Sequence, residues 1–425
     1  MLLVGICACD KVVPVESGKD GDILEESQDQ SQQGQQDPSP DMPDTPVFYP
    51  QIRMSLTDSE AGLRNASNLF GLKVFQKLLI AAEGDAVFSP LSLSLALAMS
   101  AEGAEGNTYK QFVETMGWEN ATRQEIGSFY EKMIAGLAEA DKSVLFSSSN
   151  SLWVAEEFRL KESYASALSK SFAAESFSVD FSLPATLERI NAWCSEKTDG
   201  KIPQLLDALE EQTKLLLINA LLFEAPWGLE WDVKESRDFH GSKTLVPKDY
   251  LYADGSFSYR DLDDFEIVGV PYGNGAYEID ILLPKAGKVL QEILQSLDLD
   301  VLRFLHTVPV ELYIPKFSIE FSTEDFLPAA LKDLGLTLPF QADVADFSRI
   351  SDERLFLSTV LQKTKLEVSE KGTGFAAATV VVGVGSANPG GANQEKVVVD
   401  ANRPFAYCIR ETSSNAVLLF GTLSD

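Results

Sequence analysis

Histidine and basic side chains are scarce in this chain. Its 425 residues include 2 histidines, and 35 Lys and Arg stand against 64 Asp and Glu, for a formal net charge of -29. A nucleic acid or a heparin-like polysaccharide needs a stripe of basic side chains that neutralises its phosphates or sulfates. The composition therefore excludes nucleic acid and heparin from the expected partners, and the acidity itself favours solubility.

Cysteine is equally rare, with 4 residues in the whole chain. Cys194 and Cys408 lie among apolar residues, which is typical of buried free thiols. A disulfide between them stays an open alternative, because the sequence does not give their separation. Cys7 and Cys9 lie at the N-terminus, far from either histidine. No zinc-type spacing results, so neither a metal nor a cofactor is expected.

The first residues, "MLLVGICAC", are apolar and end in two cysteines. This ending resembles a bacterial lipoprotein signal, in which an aliphatic and two small residues precede the cysteine that receives lipid. Cys7 is unusual at its place, and the apolar stretch is short without basic residues before it. The resemblance implies a signal remnant over 1–9, lipidation at Cys9 and a bacterial protein outside the cytoplasm, anchored to the envelope or secreted. An ordinary disordered terminus is the alternative.

The next segment, 10–58, has a core of about residues 14–50 that is rich in Gln, Asp, Ser and Pro and nearly free of large apolar residues. Such a composition cannot offset the entropy lost on ordering, and it predicts a flexible tether. No segment has the run of about 18 apolar residues that a membrane span needs. A membrane would therefore be contacted only through the N-terminal lipid.

Residues 59–425 have the composition of a single folded domain. An apolar helical pattern follows candidate caps at Asn65 or Ser67, and strand patterns appear at 215–223, 310–321 and 415–423. A helix over 324–336 is expected to be interrupted near Pro328. Helical patterns dominate the first third and strands the last, without regular βαβ alternation. The fold class predicted is α+β.

Several short stretches follow one another in order and at consistent spacing. They are "DAVFSPLSLSLALAMSAEGAEGNT" (85–108), "INAWCSEKTDGKIPQLL" (190–206), "LLLINALLFEAPWGLEWD" (215–232), "IPKFSIEF" (314–321), "LKDLGL" (331–336), "FQADVADFSRIS" (340–351), "VSEKGTGFAAATVV" (368–381) and "VVVDANRPFAYCIRETSSNAVLLFGTL" (397–423). Together they resemble the serpin family. The resemblance covers about residues 60 to 425. It implies a serpin fold, in which helices surround a large, mostly antiparallel central sheet and an exposed reactive-centre loop.

The resemblance also implies an activity for "EKGTGFAAATVVVGVGSANPGGANQ" (370–394). In serpins this loop presents a scissile bond to a protease, and its N-terminal arm inserts into the central sheet after the cut. The protease, still bonded as an acyl-enzyme, is dragged along and deformed before water can release it. A suicide-substrate inhibitor of serine or papain-like cysteine proteases is therefore expected, as a monomer.

The family pattern assigns residues to each part of this device. By the usual spacing from Glu370, the scissile bond falls at Ser386-Ala387, and the small residues around it suit elastase-like or subtilisin-like proteases. Trp227 matches the breach, the end of the sheet where the loop enters. The shutter, where the sheet parts, matches Ser89, Pro90, Ser92, Asn219 and Gln362, with Gln362 replacing a frequent His. The hinge matches Glu370, Lys371, Gly372, Thr373, Gly374, Phe375, Ala376, Ala377 and Ala378.

Phe375 departs from the family pattern of small hinge residues. Side chains alternate across a strand, so Thr373 and Phe375 should both turn inward on insertion. Overpacking costs about 1–3 kcal/mol and would slow threading, which would leave a protease substrate or a non-inhibitory binding protein. If the neighbouring strands leave a pocket, Phe375 instead stabilises the inserted state. The sequence leaves both alternatives open.

The serines of "FSPLSLS" also raise the possibility of an enzyme with a serine nucleophile. Such a nucleophile requires a positioned base. Neither His240 nor His306 belongs to a recognisable catalytic constellation. The shutter is the preferred interpretation of these serines, and no enzymatic activity is expected.

Overall fold

The computed structural model describes residues 2–9, 49–81, 84–210, 212–324, 326–374 and 396–425. Residues 10–48 of the predicted tether (10–58) lie outside these residues. The helices are α1 (Asp58–Ala81), α2 (Pro90–Gly103), α3 (Gly106–Met116), α4 (Arg123–Glu139), α5 (Glu162–Phe172), α6 (Pro184–Lys197), α7 (Leu290–Gln295) and α8 (Leu327–Asp333). Short 3₁₀ turns cover Leu299–Arg303 and Leu338–Phe340.

The strands come mainly from the second half of the chain. They are β1 (Leu2–Cys9), β2 (Ala86–Phe88), β3 (Leu145–Ala155), β4 (Glu175–Val179), β5 (Leu215–Pro226), β6 (Asp232–His240), β7 (Leu245–Asp261), β8 (Phe265–Tyr272), β9 (Tyr277–Pro284), β10 (His306–Pro315), β11 (Phe317–Ser322), β12 (Leu357–Ser369), β13 (Gly372–Thr373), β14 (Val397–Asp400), β15 (Phe405–Glu411) and β16 (Val417–Leu423). The α+β class is confirmed.

Two sheets form the frame among the described residues. The first, sheet A, has seven strands: β4, β3 and β5 on one side, β12 and β11 on the other, and β1 and β13 between β5 and β12. The second, sheet B, has nine strands in the order β14-β10-β7-β8-β9-β15-β16-β2, with β6 paired to β7. Because β1 is parallel to both β5 and β12, those two strands run in the same direction.

Helix α2 lies between the sheets and contacts β5 of sheet A and β16 of sheet B. Nearly every residue of "PLSLSLALAMSAEG" is buried, which is the pattern of a helix surrounded by protein. Pro90 occupies its first turn, where a missing N–H costs nothing. This central position makes the N-terminus of α2 a support for the middle of sheet A.

Three local expectations are wrong. Asn65 and Ser67 are interior residues of α1, which begins seven residues earlier because Thr57 and Glu60 cap it reciprocally. Pro328 lies in the first turn of α8, so it begins that helix rather than interrupting it. The predicted strand over 310–321 is two strands, β10 in sheet B and β11 in sheet A.

The two body cysteines differ in state. Cys408 is a buried free thiol, as expected, and burial raises the pKa of this thiol. Cys194 is disulfide-bonded, so the prediction of a free thiol there is wrong. The bond is not to Cys408, which excludes the alternative pairing. Apolar neighbours indicate that a cysteine is buried, but they do not indicate whether another sulfur lies beside it.

Candidate functional site

The predicted hinge follows β12, which ends at Ser369. The chain turns and β13 pairs antiparallel with both neighbours: Thr373 lies opposite Val368 of β12 and opposite Ala225 of β5. Gly372 has a φ of +135°, and a Cβ there would lie 2.1 Å from the carbonyl oxygen of Ala225. Only glycine fits this conformation and this approach. The start of the hinge is thus already a strand between β5 and β12.

Thr373 is fully buried, and its hydroxyl shares a 2.6 Å hydrogen bond with the hydroxyl of Tyr272. The Tyr272 ring stacks on Trp227 with centroids 4.6 Å apart, and Trp227 Nε1 donates to the Ser369 carbonyl at 2.7 Å. Trp227, the predicted breach residue, therefore holds the end of β12, and Tyr272 holds Thr373 of the predicted hinge. Tyr272 was not predicted, because a tyrosine in an apolar strand has no sequence signal for this role.

Glu370 and Lys371 lie in the exposed turn between β12 and β13. Glu370 pairs with Lys316 at 3.4 Å. A hydrogen bond from its own backbone N–H and the Lys316 charge lower the pKa of Glu370. This ion pair links the turn to the residue between β10 and β11, but both partners are too solvent-accessible for a large contribution to stability.

Ser89 and Gln362, both predicted shutter residues, are hydrogen-bonded although they are 273 residues apart in sequence. Gln362 Oε1 accepts from the Ser89 N–H at 2.8 Å, and Gln362 Nε2 donates to the Ser89 carbonyl at 3.1 Å. The Ser89 hydroxyl donates to the Leu418 carbonyl at 2.8 Å and accepts from the Ser92 N–H at 3.2 Å, which caps α2. Gln362 thereby joins β12 to the N-terminus of α2.

Thr323 adds a second partner to Gln362. Its hydroxyl accepts from the Gln362 backbone N–H at 2.8 Å, and its own N–H donates to the Gln362 carbonyl at 2.9 Å.

The Ser89 hydroxyl donates to the Leu418 carbonyl and accepts from the N–H that it caps at the start of α2. These contacts give it a structural environment rather than that of an activated nucleophile.

Asn219 belongs to a separate polar cluster on the other side of β1. Its Nδ2 donates to Asn150 Oδ1 at 2.9 Å and to the Ser148 hydroxyl at 3.0 Å. Asn150 donates in turn to the Phe172 carbonyl at 2.7 Å. The buried Oδ1 of Asn219 has no hydrogen-bond partner. Asn150 and Ser148 were not predicted, although polar residues within the strand "LFSSSNSLWVA" are a usable signal of a buried network.

The remaining predicted residues, Phe375, Ala376, Ala377, Ala378, Ser386 and Ala387, lie outside the described part of the chain. Of the residues that are described, no group of three or more His, Cys, Asp and Glu could hold a metal ion. None of the described helices is both long and apolar enough to cross a membrane.

The sequence matches the family described as Serpin (serine protease inhibitor) over residues 65–425. The chain belongs to the serpin family. A tick protein, Iripin-2 of Ixodes ricinus, is 32% identical over 393 residues, which cover 89% of this chain and 97% of the relative. Human Serpin B3 is 27% identical, covering 85% of this chain and 99% of its own.

Solved serpin structures share the fold. The native state of the thermophilic serpin tengpin superposes with a TM-score of 0.77 at 25% identity, covering 89% of this chain and 97% of tengpin. The mouse protein-Z dependent protease inhibitor superposes with a TM-score of 0.75 at 25% identity, covering 86% of this chain and 98% of the inhibitor. Human thyroxine-binding globulin, solved with thyroxine, superposes with a TM-score of 0.77 at 24% identity, covering 86% of this chain and 99% of the globulin. Serpins are generally protease inhibitors rather than enzymes, and the family also includes this hormone-binding member.

Replacing Gln362 tests the link between sheet A and α2. In Gln362→Ala the buried N–H and carbonyl of Ser89 lose their partner, so we expect the free energy of unfolding to fall by about 2–3 kcal/mol. Denaturant unfolding of the purified protein measures it. Gln204→Ala is the matched control, because the Gln204 side-chain amide is exposed and donates to the exposed Asp207 carboxylate. Equal effects of the two substitutions would contradict the link.

Proposed function

We propose that this serpin is a suicide-substrate inhibitor of serine proteases, with papain-like cysteine proteases as a further target class. The pairing of Gly372 and Thr373 between β5 and β12 supports the proposal most strongly. Loop insertion must begin with these residues, and their backbone geometry is already that of an inserted strand. Insertion of the cut loop would thus start from hinge residues that are already paired with β5 and β12.

The chemistry uses the protease's own nucleophile. Its Ser Oγ attacks the carbonyl carbon of Ser386, the C–N bond to Ala387 breaks, and the new amine takes the proton. The Ser386 acyl group then remains esterified to the protease while the freed arm enters sheet A. Rapid insertion would distort the acyl-enzyme before hydrolysis, whereas slow insertion would release the cut inhibitor as product.

The register of the hinge predicts where the following residues would lie after insertion. Because both pairings are antiparallel, each successive loop residue would lie opposite the preceding residue of β5 and of β12. Thr379 is six residues after Thr373 and would therefore lie between Asn219 and Gln362. An even separation puts it on the same face as Thr373. Its hydroxyl could donate to Asn219 Oδ1, the buried acceptor that has no partner in this structure.

The same register places Phe375 between Phe223 and Leu366. Both neighbours are buried, and the Phe223 ring lies 5.6 Å from Tyr272 and 5.2 Å from Tyr277, centroid to centroid. An added phenyl ring would meet an aromatic cluster there rather than a polar row. Aromatic pairs at such distances contribute about 0.5–1.5 kcal/mol beyond burial. This environment favours the inhibitory alternative over the non-inhibitory one.

The target proteases are proposed from the residues at the scissile bond. Val384, Gly385, Ser386 and Ala387 are small or medium in size. Enzymes with shallow primary pockets, such as elastase-like or subtilisin-like proteases, accept such residues.

The proposal predicts a covalent adduct. When the protein is mixed with an elastase-like and a subtilisin-like protease, we expect a band at the summed mass that survives a denaturing gel. Mass spectrometry of the released C-terminal peptide should place the cut after Ser386. Thr373→Arg should be cleaved without an adduct, because a charged side chain cannot enter the buried position of Thr373. Thr373→Ser keeps the hydroxyl and is the matched control.

Cleavage of the wild-type protein with no adduct would favour the non-inhibitory alternative. In that case the melting midpoint of the cut protein decides between two causes. A midpoint raised by tens of degrees means that the loop inserts but too slowly, whereas an unchanged midpoint means that the sheet does not accept it.

Phe375→Ala separates the two interpretations of the hinge. If Phe375 packs between Phe223 and Leu366, its truncation should destabilise the cleaved protein by about 3–5 kcal/mol, as for other buried aromatic residues. The stability of the uncleaved protein should change little, and denaturant unfolding of both forms measures the difference. A faster-trapping and more stable cleaved variant would show instead that Phe375 overpacks the sheet.

We also propose that the protein is attached to a bacterial envelope through lipid at Cys9. Cys9→Ala should then move the protein from the membrane fraction to the soluble fraction of the producing cell, and Cys7→Ala should not. Detection of Cys9→Ala in the membrane fraction would overturn the assignment.

A further inference from the structure

Strand β1 occupies the centre of sheet A. It pairs in parallel with β5 from Leu2 opposite Leu215 to Cys9 opposite Leu222. On its other side it pairs in parallel with β12, where Leu3 lies opposite Thr359 and Ala8 opposite Thr364. The two ladders together give β1 two hydrogen-bonding neighbours along nearly its whole length.

Strand β1 lies opposite the same residues of β5 that the inserted loop would pair with. Continued from Thr373 in register, 376–382 would lie opposite Leu222 to Leu216 of β5, and Leu3–Cys9 now lie opposite these residues. The row of Asn219 and Gln362 shows the overlap most directly. It holds Ile6 in this structure, and it is the row that Thr379 would take.

We propose that residues 2–9 fill the slot between β5 and β12 into which the loop would insert, and that the loop can insert fully only when these residues leave it. One backbone cannot share the hydrogen-bonding edges of β5 and β12 with another, so occupancy by β1 and by 376–382 is mutually exclusive. The significance for inhibition rests on the proposed function, but the occupancy itself does not.

The proposal connects to the proposed lipid anchor. Cleavage before Cys9 would remove residues 1–8, which are nearly all of β1. A chain that keeps its first residues would have a filled slot, whereas a processed chain would have an open one. The cleavage that creates the anchor would then also permit full insertion.

The experiment uses the full chain, made without export so that intact mass confirms residues 1–9, and kept in reductant so that the disulfide of Cys194 is open in every sample. Wild type is compared with Ile6→Pro, because proline inside a central strand removes a ladder hydrogen bond. Gln33→Pro, in the segment between β1 and the domain, is the matched control. Hydrogen exchange reports on 215–222 and 357–364, and melting is followed before and after a protease nick in the reactive-centre loop.

We expect the amides of these two segments to exchange about tenfold faster or more in Ile6→Pro than in wild type or Gln33→Pro. We also expect nicking to raise the melting midpoint of Ile6→Pro by more than that of wild type. Equal exchange and equal midpoint rises in all three proteins would overturn the proposal. Neither readout needs a protease adduct, so a failure of the proposed inhibitory function would be recognised separately by a denaturing gel of Ile6→Pro, in which β1 no longer fills the slot.

Discussion

The slot between β5 and β12 is the constraint on which the rest of the structure depends. These strands run in the same direction, and their facing edges present backbone N–H and C=O groups that must find partners. In the described chain, β13 satisfies the breach end and β1 satisfies the rows from Leu215 to Leu222. The polar clusters at Gln362 and Asn219 stand on opposite sides of the same slot, so whatever fills it also sets the spacing between them.

Side-chain contacts at two places, the predicted breach and the predicted shutter, hold the strands that border the slot. At the breach, Tyr272 holds Thr373 while Trp227 holds the carbonyl of Ser369, which fixes the direction in which the loop would continue. At the shutter, Gln362 attaches β12 to Ser89 at the cap of α2. A helix buried between two sheets cannot move easily, so β12 is tied to a rigid element. Separation of β5 from β12 must therefore strain or rearrange the Gln362 contacts.

The sequence was sufficient for the parts of this arrangement that depend on local chemistry. The apolar run over 215–223 forms a buried strand as predicted, and the family pattern located Ser89, Pro90 and Gly372, which the structure shows to be a helix cap, a first-turn proline and a residue with positive φ. The parts that failed depend on distant contacts. The start of α1 was missed because Thr57 and Glu60 precede the apolar pattern, and the disulfide of Cys194 because sequence gives no separations. Tyr272 and Asn150 were missed since only the fold brings them to the hinge and to Asn219.

Strand direction distinguishes β1 from an inserted loop, and it gives a reason why the loop could replace β1 between β5 and β12. Strand β1 is parallel to both neighbours, whereas a loop that continues from Thr373 is antiparallel to both. Antiparallel ladders are slightly more stable per residue than parallel ones. The loop strand would also extend from the breach without interruption, and it would bring Thr379 to the unsatisfied acceptor of Asn219. Under the proposed function, exchange of β1 for the loop would therefore be favourable once the loop is cut, whereas the uncut loop would be held back because the chain continues from it into β14.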